Sequence, residues 1–230
     1  MQNNIQQETW KHLAGVEAAK LVQDGMVIGL GSGTTATHLI YALAERIANG
    51  LRIVGAVPTS QATELLARNL GIPLTDLDTY PELDLDIDGA DEIDEQLNLI
   101  KGGGGALLRE KIVAAASRRF VVIADNTKLV KQLGQKTPLP VEVIPFALTP
   151  VSRRLEKLVA EVRLREIGET TFRTDNGNLI LDCFFAGGIA VPDEIHRKMC
   201  NIVGVVETGL FLNMAEMAII GGPDGIKYIR

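Results

Sequence analysis

The strongest constraint on the fold is a regular alternation of short apolar runs and helix-like stretches in the first half of the chain. Strands that alternate with helices form right-handed βαβ units, and these units build a parallel sheet that helices cover on both faces. The first half therefore predicts an α/β domain with a parallel sheet and helices on both faces. The predicted helices are 8–23, 36–48, 61–69 and 106–118, and the predicted strands are 26–30, 52–57, 83–87 and 120–124.

The pattern changes after Gly134, where the proline-rich stretch 138–145 marks a boundary. The elements that follow have the order βαββαβ, which is typical of a small ferredoxin-like α+β module. An Asn-Gly pair within 174–178 predicts a hairpin turn. The predicted strands are 141–144, 162–167, 179–184 and 203–211, the predicted helices are 151–160 and 193–200, and a strand at 218–220 returns to the first sheet.

This organisation predicts two domains. Residues 1–134 and 208–230 form the larger α/β domain, and residues 135–207 form the small α+β domain.

Composition and charge exclude several classes of protein. A chain that is 46% hydrophobic and 23% charged is globular rather than disordered, and a net charge of −6 does not suit a general nucleic-acid binder. The two cysteines and three histidines are scattered, which disfavours a disulfide framework and a histidine-rich metal site. No signal peptide and no apolar run of about 20 residues is present, so we expect a cytoplasmic protein without a membrane or nucleic-acid partner.

The first candidate motif is a glycine-rich stretch, Gly29–Ala36, which follows a predicted strand and opens a predicted helix. Helix-opening N–H groups and the hydroxyls of Ser32, Thr34 and Thr35 are suited to binding a phosphate. The loop lacks the lysine of a P-loop, and the next strand ends at 57–60 without the acid of a dinucleotide site. The motif therefore indicates either an anion site or a tight turn capped by hydroxyls.

The second motif is acidic. Asp84–Glu95 satisfies the spacing of a calcium-binding EF-hand loop, but the alternating apolar residues before it indicate a strand, whereas an EF-hand loop lies between two helices. In a strand, Asp84, Asp86 and Asp88 share one face, and Asp88 and Asp91 lie at the carboxyl end, where parallel sheets bind ligands. The alternative is a solvated acidic turn.

The third and fourth motifs carry glycines and lysines. Four glycines at 102–105 follow Lys101, and such a run suits close approach to a ligand. Glu110 lies in the first turns of the next predicted helix. A glutamate in that position is usually solvent-exposed and interacts favourably with the helix dipole. Lys128 follows the predicted strand 120–124. Since these loops are predicted to share one rim of the sheet, they indicate a site for a small phosphorylated, hydroxyl-bearing substrate.

Together these motifs resemble ribose-5-phosphate isomerase, type A. The resemblance rests on Gly-Ser-Gly-Thr-Thr-Ala (31–36), Asp-Gly-Ala-Asp-Glu (88–92), Lys-Gly-Gly-Gly-Gly-Ala-Leu-Leu-Arg-Glu-Lys (101–111) and Ala-Asp-Asn-Thr-Lys (124–128), and it extends through 138–145, 174–178 and 222–225. It implies interconversion of D-ribose 5-phosphate and D-ribulose 5-phosphate in the pentose phosphate pathway. It also implies that the larger domain is a Rossmann-like catalytic domain and that residues 135–207 form a lid that also serves oligomerisation. A homodimer or homotetramer is implied as well, and no metal or other cofactor.

The resemblance also implies a role for each motif residue. Glu110 is the general base of a cis-enediolate mechanism, if burial brings its pKa up from about 4.3. Lys101 stabilises the oxyanion, and Asp88 assists opening of the sugar ring. The implied substrate-binding residues are Ser32, Gly33, Thr34, Thr35, Asp88, Gly89, Ala90, Asp91, Lys101, Gly102, Gly103, Gly104 and Lys128.

Two other functions are alternatives to an isomerase. A non-catalytic sugar-phosphate sensor would carry a DNA-binding module, for which the roughly 25 residues before the first predicted strand are too few. An enzyme similar to a coenzyme A transferase would use a glutamate as nucleophile and form a covalent thioester, whereas an isomerase exchanges a substrate proton with solvent.

Overall fold

We describe a computed structural model that covers the backbone of residues 2–230 and the side chains of residues 5–230. The chain divides into two compact units. The first contains the residues up to Ala90, together with Arg109–Lys128 and Met214–Arg230; the second contains Asp91–Leu108 and Leu129–Asn213. In the part that the structure describes, no helix is long and apolar enough to cross a membrane.

The structure contains six α-helices and fifteen strands within residues 2–230. Helices α1 to α6 cover Gln2–Ala19, Thr34–Ala48, Gln61–Asn69, Leu107–Ala115, Leu148–Leu155 and Pro192–Cys200. Strands β1 to β15 cover Val27–Leu30, Gly55–Pro58, Leu85–Gly89, Glu92–Ile93, Leu99–Ile100, Phe120–Asp125, Leu139–Val143, Glu161–Leu164, Glu166–Ile167, Thr170–Thr171, Leu179–Phe184, Val205–Thr208, Leu210–Phe211, Met217–Gly222 and Gly225–Ile229.

The first unit is built on a six-stranded sheet with the order β15-β14-β6-β3-β1-β2. The five strands from β14 to β2 are parallel, and β15 pairs with β14 in the antiparallel direction at one edge. Strand β1 is followed by β2 on one side, while β3 lies on its other side. The order in which successive strands are added to the sheet therefore reverses between β1 and β3, and this switch point is where doubly wound sheets bind ligands.

Helices pack on both faces of this sheet, as the alternation predicted. Residues Ile28, Leu30 and Ile87 belong to the larger core, which α1 and α2 complete from one side. Val27 points to the opposite face, because successive strand residues alternate, and it packs with Val113 of α4. Both the parallel sheet and its two helical layers are confirmed.

The second unit contains the predicted βαββαβ module. Its four antiparallel strands have the order β12-β7-β11-β8, with α5 and α6 in the crossovers. Counted along the module, this order is 4-1-3-2, and the buried core lies between the sheet and the two helices. A separate small sheet, β13-β5-β4, belongs to the same unit.

The single strand predicted for 203–211 is wrong, because Gly209 divides it. Strand β12 pairs with β7, whereas β13 pairs with β5 in the other sheet. The Gly209 N–H donates to Pro140 O at 2.7 Å, and its carbonyl accepts from Lys101 N at 2.9 Å. A Cβ atom on Gly209 would collide with the Lys101 carbonyl, so only glycine allows this chain to pass from one sheet to the other.

Smaller differences concern strands that periodicity did not predict. Two-residue strands such as β4 and β10 are too short to show a pattern, and β15 was also not predicted. The Asn-Gly turn forms, with Gly177 at φ 79°, but β10 pairs with β9 and β11 pairs with β7 and β8, so the turn joins no hairpin.

The predicted domain boundaries stay a prediction; residues 91–108 group with the second unit through the pairing of β4, β5 and β13.

The two thiols should differ sharply in reactivity. Cys183 is buried and burial raises the pKa of its thiol to about 12, whereas Cys200 is exposed. Since the thiolate is the nucleophile, Cys183 should not react with Ellman's reagent at pH 8, far below its pKa. One thiol should react rapidly in the native protein and two after unfolding in guanidinium. Rapid labelling of two thiols in the native wild-type protein, or of the single remaining thiol in native Cys200→Ser, would contradict this.

Candidate active site

Gly29 of β1 and Gly31, just after the strand, lie directly against two aspartates of β3. Gly29 is paired in register with Asp86, and a Cβ atom on Gly29 or Gly31 would collide with the carboxylate of Asp86 or Asp88, respectively. Both aspartates are completely buried. The Gly-x-Gly and Asp-x-Asp patterns are therefore complementary, since residues two apart on a strand share one face.

The carboxylate of Asp88 is held at the switch point by backbone donors. Its Oδ1 accepts from Ser32 N at 2.9 Å and from Gly89 N at 2.6 Å. Charge-assisted bonds of this kind are about twice as strong as neutral ones and offset part of the cost of burying a carboxylate. Asp88 therefore fixes the start of the glycine-rich loop as well as its own position.

A network of hydroxyls supports the loop from the neighbouring strand. Ser32 Oγ lies 2.7 Å from Thr59 Oγ1 and donates to Ser60 Oγ at 2.8 Å, while Thr63 Oγ1 donates to the Gly31 carbonyl at 3.0 Å. The Ser32 hydroxyl thus takes part in holding the loop. Thr59, Ser60 and Thr63 are not predicted from the sequence, although the run Thr59-Ser60 after an apolar strand is the available signal.

The loop ends at the N-terminus of α2. Gly33 has φ 90° and ψ −177° and makes no side-chain cap hydrogen bond, and the left-handed φ suits glycine. Thr34 is exposed and Thr35 is buried. The first-turn N–H groups of a helix carry the positive end of its dipole and are suited to binding an anion such as a phosphate.

Glu110 is not the surface residue that its position usually implies. It lies in the first turn of α4 and is only 6% exposed. Val113, three residues later and thus on the same helix face, packs against the side of the sheet that carries Asp86 and Asp88. Glu110 and Asp88 are therefore two buried carboxylates on one side of the sheet.

Lys128 is the last predicted substrate-binding residue, in chain order, that lies in the first unit. It ends a short 3₁₀ turn, Asn126–Lys128, directly after β6, and is half-buried. Asp125 holds this turn by accepting from Thr127 N at 3.0 Å. Because β1, β3 and β6 are adjacent parallel strands, the loop 31–35, Asp88 and Lys128 follow strand ends at the same edge of the sheet.

Of the predicted site residues, Asp91, Lys101 and the glycines 102–104 lie in the second unit. Asp91 is half-buried and its Oδ2 accepts from Gly103 N at 2.7 Å. Lys101 is 2% exposed, and its Nζ lies 5.4 Å from the centre of the Phe211 ring. A buried ammonium over an aromatic ring is a positioned positive charge. Gly103 and Gly104 are exposed, so part of this glycine-rich loop is accessible to a small molecule.

Arg165 anchors this glycine-rich loop and was missed by the sequence analysis. Its Nη1 donates to the carbonyls of Gly102 and Gly103 at 2.7 and 3.1 Å. The guanidinium also forms a two-bond pair with the carboxylate of Asp182, and both side chains are largely buried. A lone arginine between two short strands carries no sequence signal for such a role.

Glu92, the last residue of the Asp-Gly-Ala-Asp-Glu motif, is a second buried anchor. Its carboxylate accepts from the backbone N–H groups of Gly134, Lys136 and Thr137 at 2.6 to 2.7 Å. It therefore holds the segment after Leu133 in place. The structure also excludes a calcium-binding EF-hand loop at Asp84–Glu95. This segment contains β3 and β4 and is not flanked by two helices.

Comparison with known proteins agrees with these features. Residues 55–225 match the family model described as ribose 5-phosphate isomerase A (phosphoriboisomerase A). The chain belongs to this family. The ribose-5-phosphate isomerase A of Roseiflexus sp. is 55% identical over 219 residues, and that of Bacillus mycoides is 53% identical over 217 residues. The aligned regions cover 94% of this chain and 94% and 97% of the two relatives.

Solved structures extend the agreement to the fold. A ribose 5-phosphate isomerase A from Methanocaldococcus jannaschii is 43% identical with a TM-score of 0.91. A D-ribose-5-phosphate isomerase in complex with phospho-erythronic acid is 39% identical with a TM-score of 0.93. Each alignment covers 97% of this chain and 99% of the solved chain. The chain is thus an isomerase of ribose 5-phosphate.

Gly31→Ala should damage both the fold and the reaction. The added methyl group would collide with the Asp88 carboxylate, and overpacking of this kind costs about 1–3 kcal/mol. We expect a lower free energy of unfolding and a lower kcat. The matched control is Gly222→Ala, whose methyl group meets only ordinary contacts, 3.5 Å from Asn126 Cβ. Urea unfolding and turnover assays provide the comparison. The same free energy of unfolding and the same kcat in both variants would argue against close packing of Gly31 on Asp88.

Arg165→Lys should slow the reaction without unfolding the protein. A lysine cannot hold two carbonyls and pair in two bonds with Asp182 at once, so the glycine-rich loop loses its fixed position. A small misplacement in a site can cost roughly 10- to 100-fold in kcat. Arg163→Lys is the control, because Arg163 forms an exposed pair with Glu161. The measurement is steady-state kinetics. If both variants keep the wild-type kcat, Arg165 is not needed to position the glycine-rich loop for the reaction.

Proposed function

We propose that this chain interconverts D-ribose 5-phosphate and D-ribulose 5-phosphate through a cis-enediolate, with Glu110 as the general base. The observation that carries the proposal is the burial of the Glu110 carboxylate in the first turn of α4, on the side of the sheet that also carries Asp88. A carboxylate removed from bulk water is a stronger base toward a carbon acid than a hydrated one.

The first step is opening of the furanose ring. Asp88 would exchange a proton with the ring oxygen and the anomeric hydroxyl, so that O4 gains a proton and O1 becomes part of an aldehyde. The support is that its Oδ1 is held by two backbone N–H groups, which fix the orientation of the carboxyl group at the switch point.

The second step is proton transfer between carbons. Glu110 takes the proton from C2, the C–H electron pair forms the C1=C2 double bond, and O1 becomes an oxyanion. The same carboxyl group then returns the proton to C1, while the O2 proton passes to O1 and C2 becomes the ketone. No atom is gained or lost, and the reaction needs no external oxidant or reductant.

Stabilisation of the oxyanion is assigned to Lys101 and the amides of Gly102 and Gly104, since the Gly103 N–H donates to Asp91. A preorganised positive charge that faces developing negative charge is worth most where water is excluded. The burial of Lys101 and the anchoring of its loop by Arg165 support this assignment.

The remaining residues would bind the substrate. The N–H groups at the start of α2 suit a phosphate, Asp91 suits sugar hydroxyls, and Lys128 adds a positive charge. The proposed substrate-binding residues are Ser32, Gly33, Thr34, Thr35, Gly89, Ala90, Asp91 and Lys128. Family membership supports a place in the non-oxidative pentose phosphate pathway of the cytoplasm, in a homodimer or homotetramer.

Glu110→Gln tests the proposal directly. Glutamine is nearly isosteric but cannot accept the proton, so kcat should fall by at least roughly 10²- to 10⁴-fold, while ribose 5-phosphate still binds in calorimetry. Glu45→Gln, an exposed change on α2, should leave both quantities unchanged. In deuterated water the wild type should introduce deuterium at carbon, and the variant should not. Near-normal turnover of Glu110→Gln would overturn the assignment of the base.

A further inference from the structure

A histidine, a cysteine and a glutamate meet on the surface of the second unit, and the proposed reaction uses none of them. His196 and Cys200 are four residues apart on α6, so they lie on the same helix face, and Glu207 approaches them from β12. One potential ligand atom from each side chain lies within 4.8 Å of the other two. These side chains are the three kinds that bind Zn²⁺ in proteins.

The separations within this cluster fit a common metal ion. Cys200 Sγ lies 3.6 and 3.9 Å from the Nδ1 and Nε2 atoms of His196 and 3.7 Å from Glu207 Oε1. Zn–S bonds of about 2.3 Å and Zn–N or Zn–O bonds of about 2.0–2.2 Å, at tetrahedral angles, place sulfur roughly 3.5–3.7 Å from the other ligand atoms. The histidine nitrogen and the carboxylate oxygen lie within 4.8 Å of each other and must close to about 3.3 Å, so side-chain rotations bring the three ligands around one tetrahedral ion.

Neighbouring groups already orient two of the three ligands. The other histidine nitrogen, Nδ1, lies 2.8 Å from the hydroxyl of Thr208, which is fully buried. A metal-binding histidine typically uses its second ring N–H in such a hydrogen bond, which leaves Nε2 for the metal. The Thr208 N–H also donates to Glu207 Oε1 at 2.7 Å, which fixes the carboxylate.

We propose that His196, Cys200 and Glu207 form a binding site for Zn²⁺ or a similar borderline divalent ion on the α6–β12 face of the second unit. A thiolate and an imidazole disfavour Ca²⁺ and Mg²⁺, which prefer oxygen ligands. Three protein ligands leave one coordination position for water. The bound ion links α6 to β12 and thereby stabilises the second unit, independently of the isomerase reaction.

Cobalt reports on such a site directly. Titration of the wild-type protein with CoCl₂ at neutral pH should produce a thiolate-to-cobalt absorption band and the intense visible bands of tetrahedral Co²⁺, saturating at one ion per chain. Addition of ZnCl₂ should abolish these bands, and zinc should raise Tm and protect Cys200 from iodoacetamide. Failure of the bands to appear, or saturation only at several ions per chain, would overturn the proposal.

Matched variants separate the site from adventitious binding. Cys200→Ser should remove the thiolate band and weaken zinc binding at least about 10-fold, and Thr208→Val should weaken it by roughly 10- to 100-fold through loss of the bond to His196. Glu194→Gln, on the same helix and paired with Lys198, should bind zinc like the wild type. Circular dichroism checks that each variant is folded. Wild-type zinc affinity in Cys200→Ser would exclude the site, whatever the isomerase activity.

Discussion

The close packing of β1 against β3 is the constraint on which the first unit of the protein depends. Buried carboxylates are costly unless they are hydrogen-bonded, and here Asp86 and Asp88 are both placed in the centre of a parallel sheet. The absence of side chains at Gly29 and Gly31 makes the space for them. As a result, one carboxylate is held rigidly at the switch point of the sheet, where the glycine-rich loop and the start of α2 also lie.

The second unit uses the same physical principle with other residues. Arg165 holds the carbonyls of one glycine-rich loop, and Glu92 holds three backbone N–H groups of another segment. Glycines allow close approach, but they leave a loop entropically costly to order. Buried ionic anchors supply the order that the glycines cannot, so the loop amides keep fixed directions before any substrate is bound.

Much of this arrangement could be predicted from sequence, for reasons that are local. The helix 61–69 and the strand 179–184 were predicted with their observed bounds, because each has a clear period and clear stop signals. The division of 203–211 could not be predicted, because it depends on Pro140 and Lys101, which are distant in the chain. Likewise, the His196–Cys200 spacing is visible in the sequence, but the approach of Glu207 is decided by the packing of β12 beside α6.

The sequence by itself determined the layered α/β fold, the ferredoxin-like module and the motifs that identify the family, because periodicity, turn residues and glycine-rich loops act over short stretches of chain. Only the tertiary structure decided which charged residues are buried. Glu110 has the sequence context of a surface residue, yet α4 presents it to the sheet, and Arg165 has no motif at all. Burial depends on which elements cover a side chain, and that is a property of the whole fold.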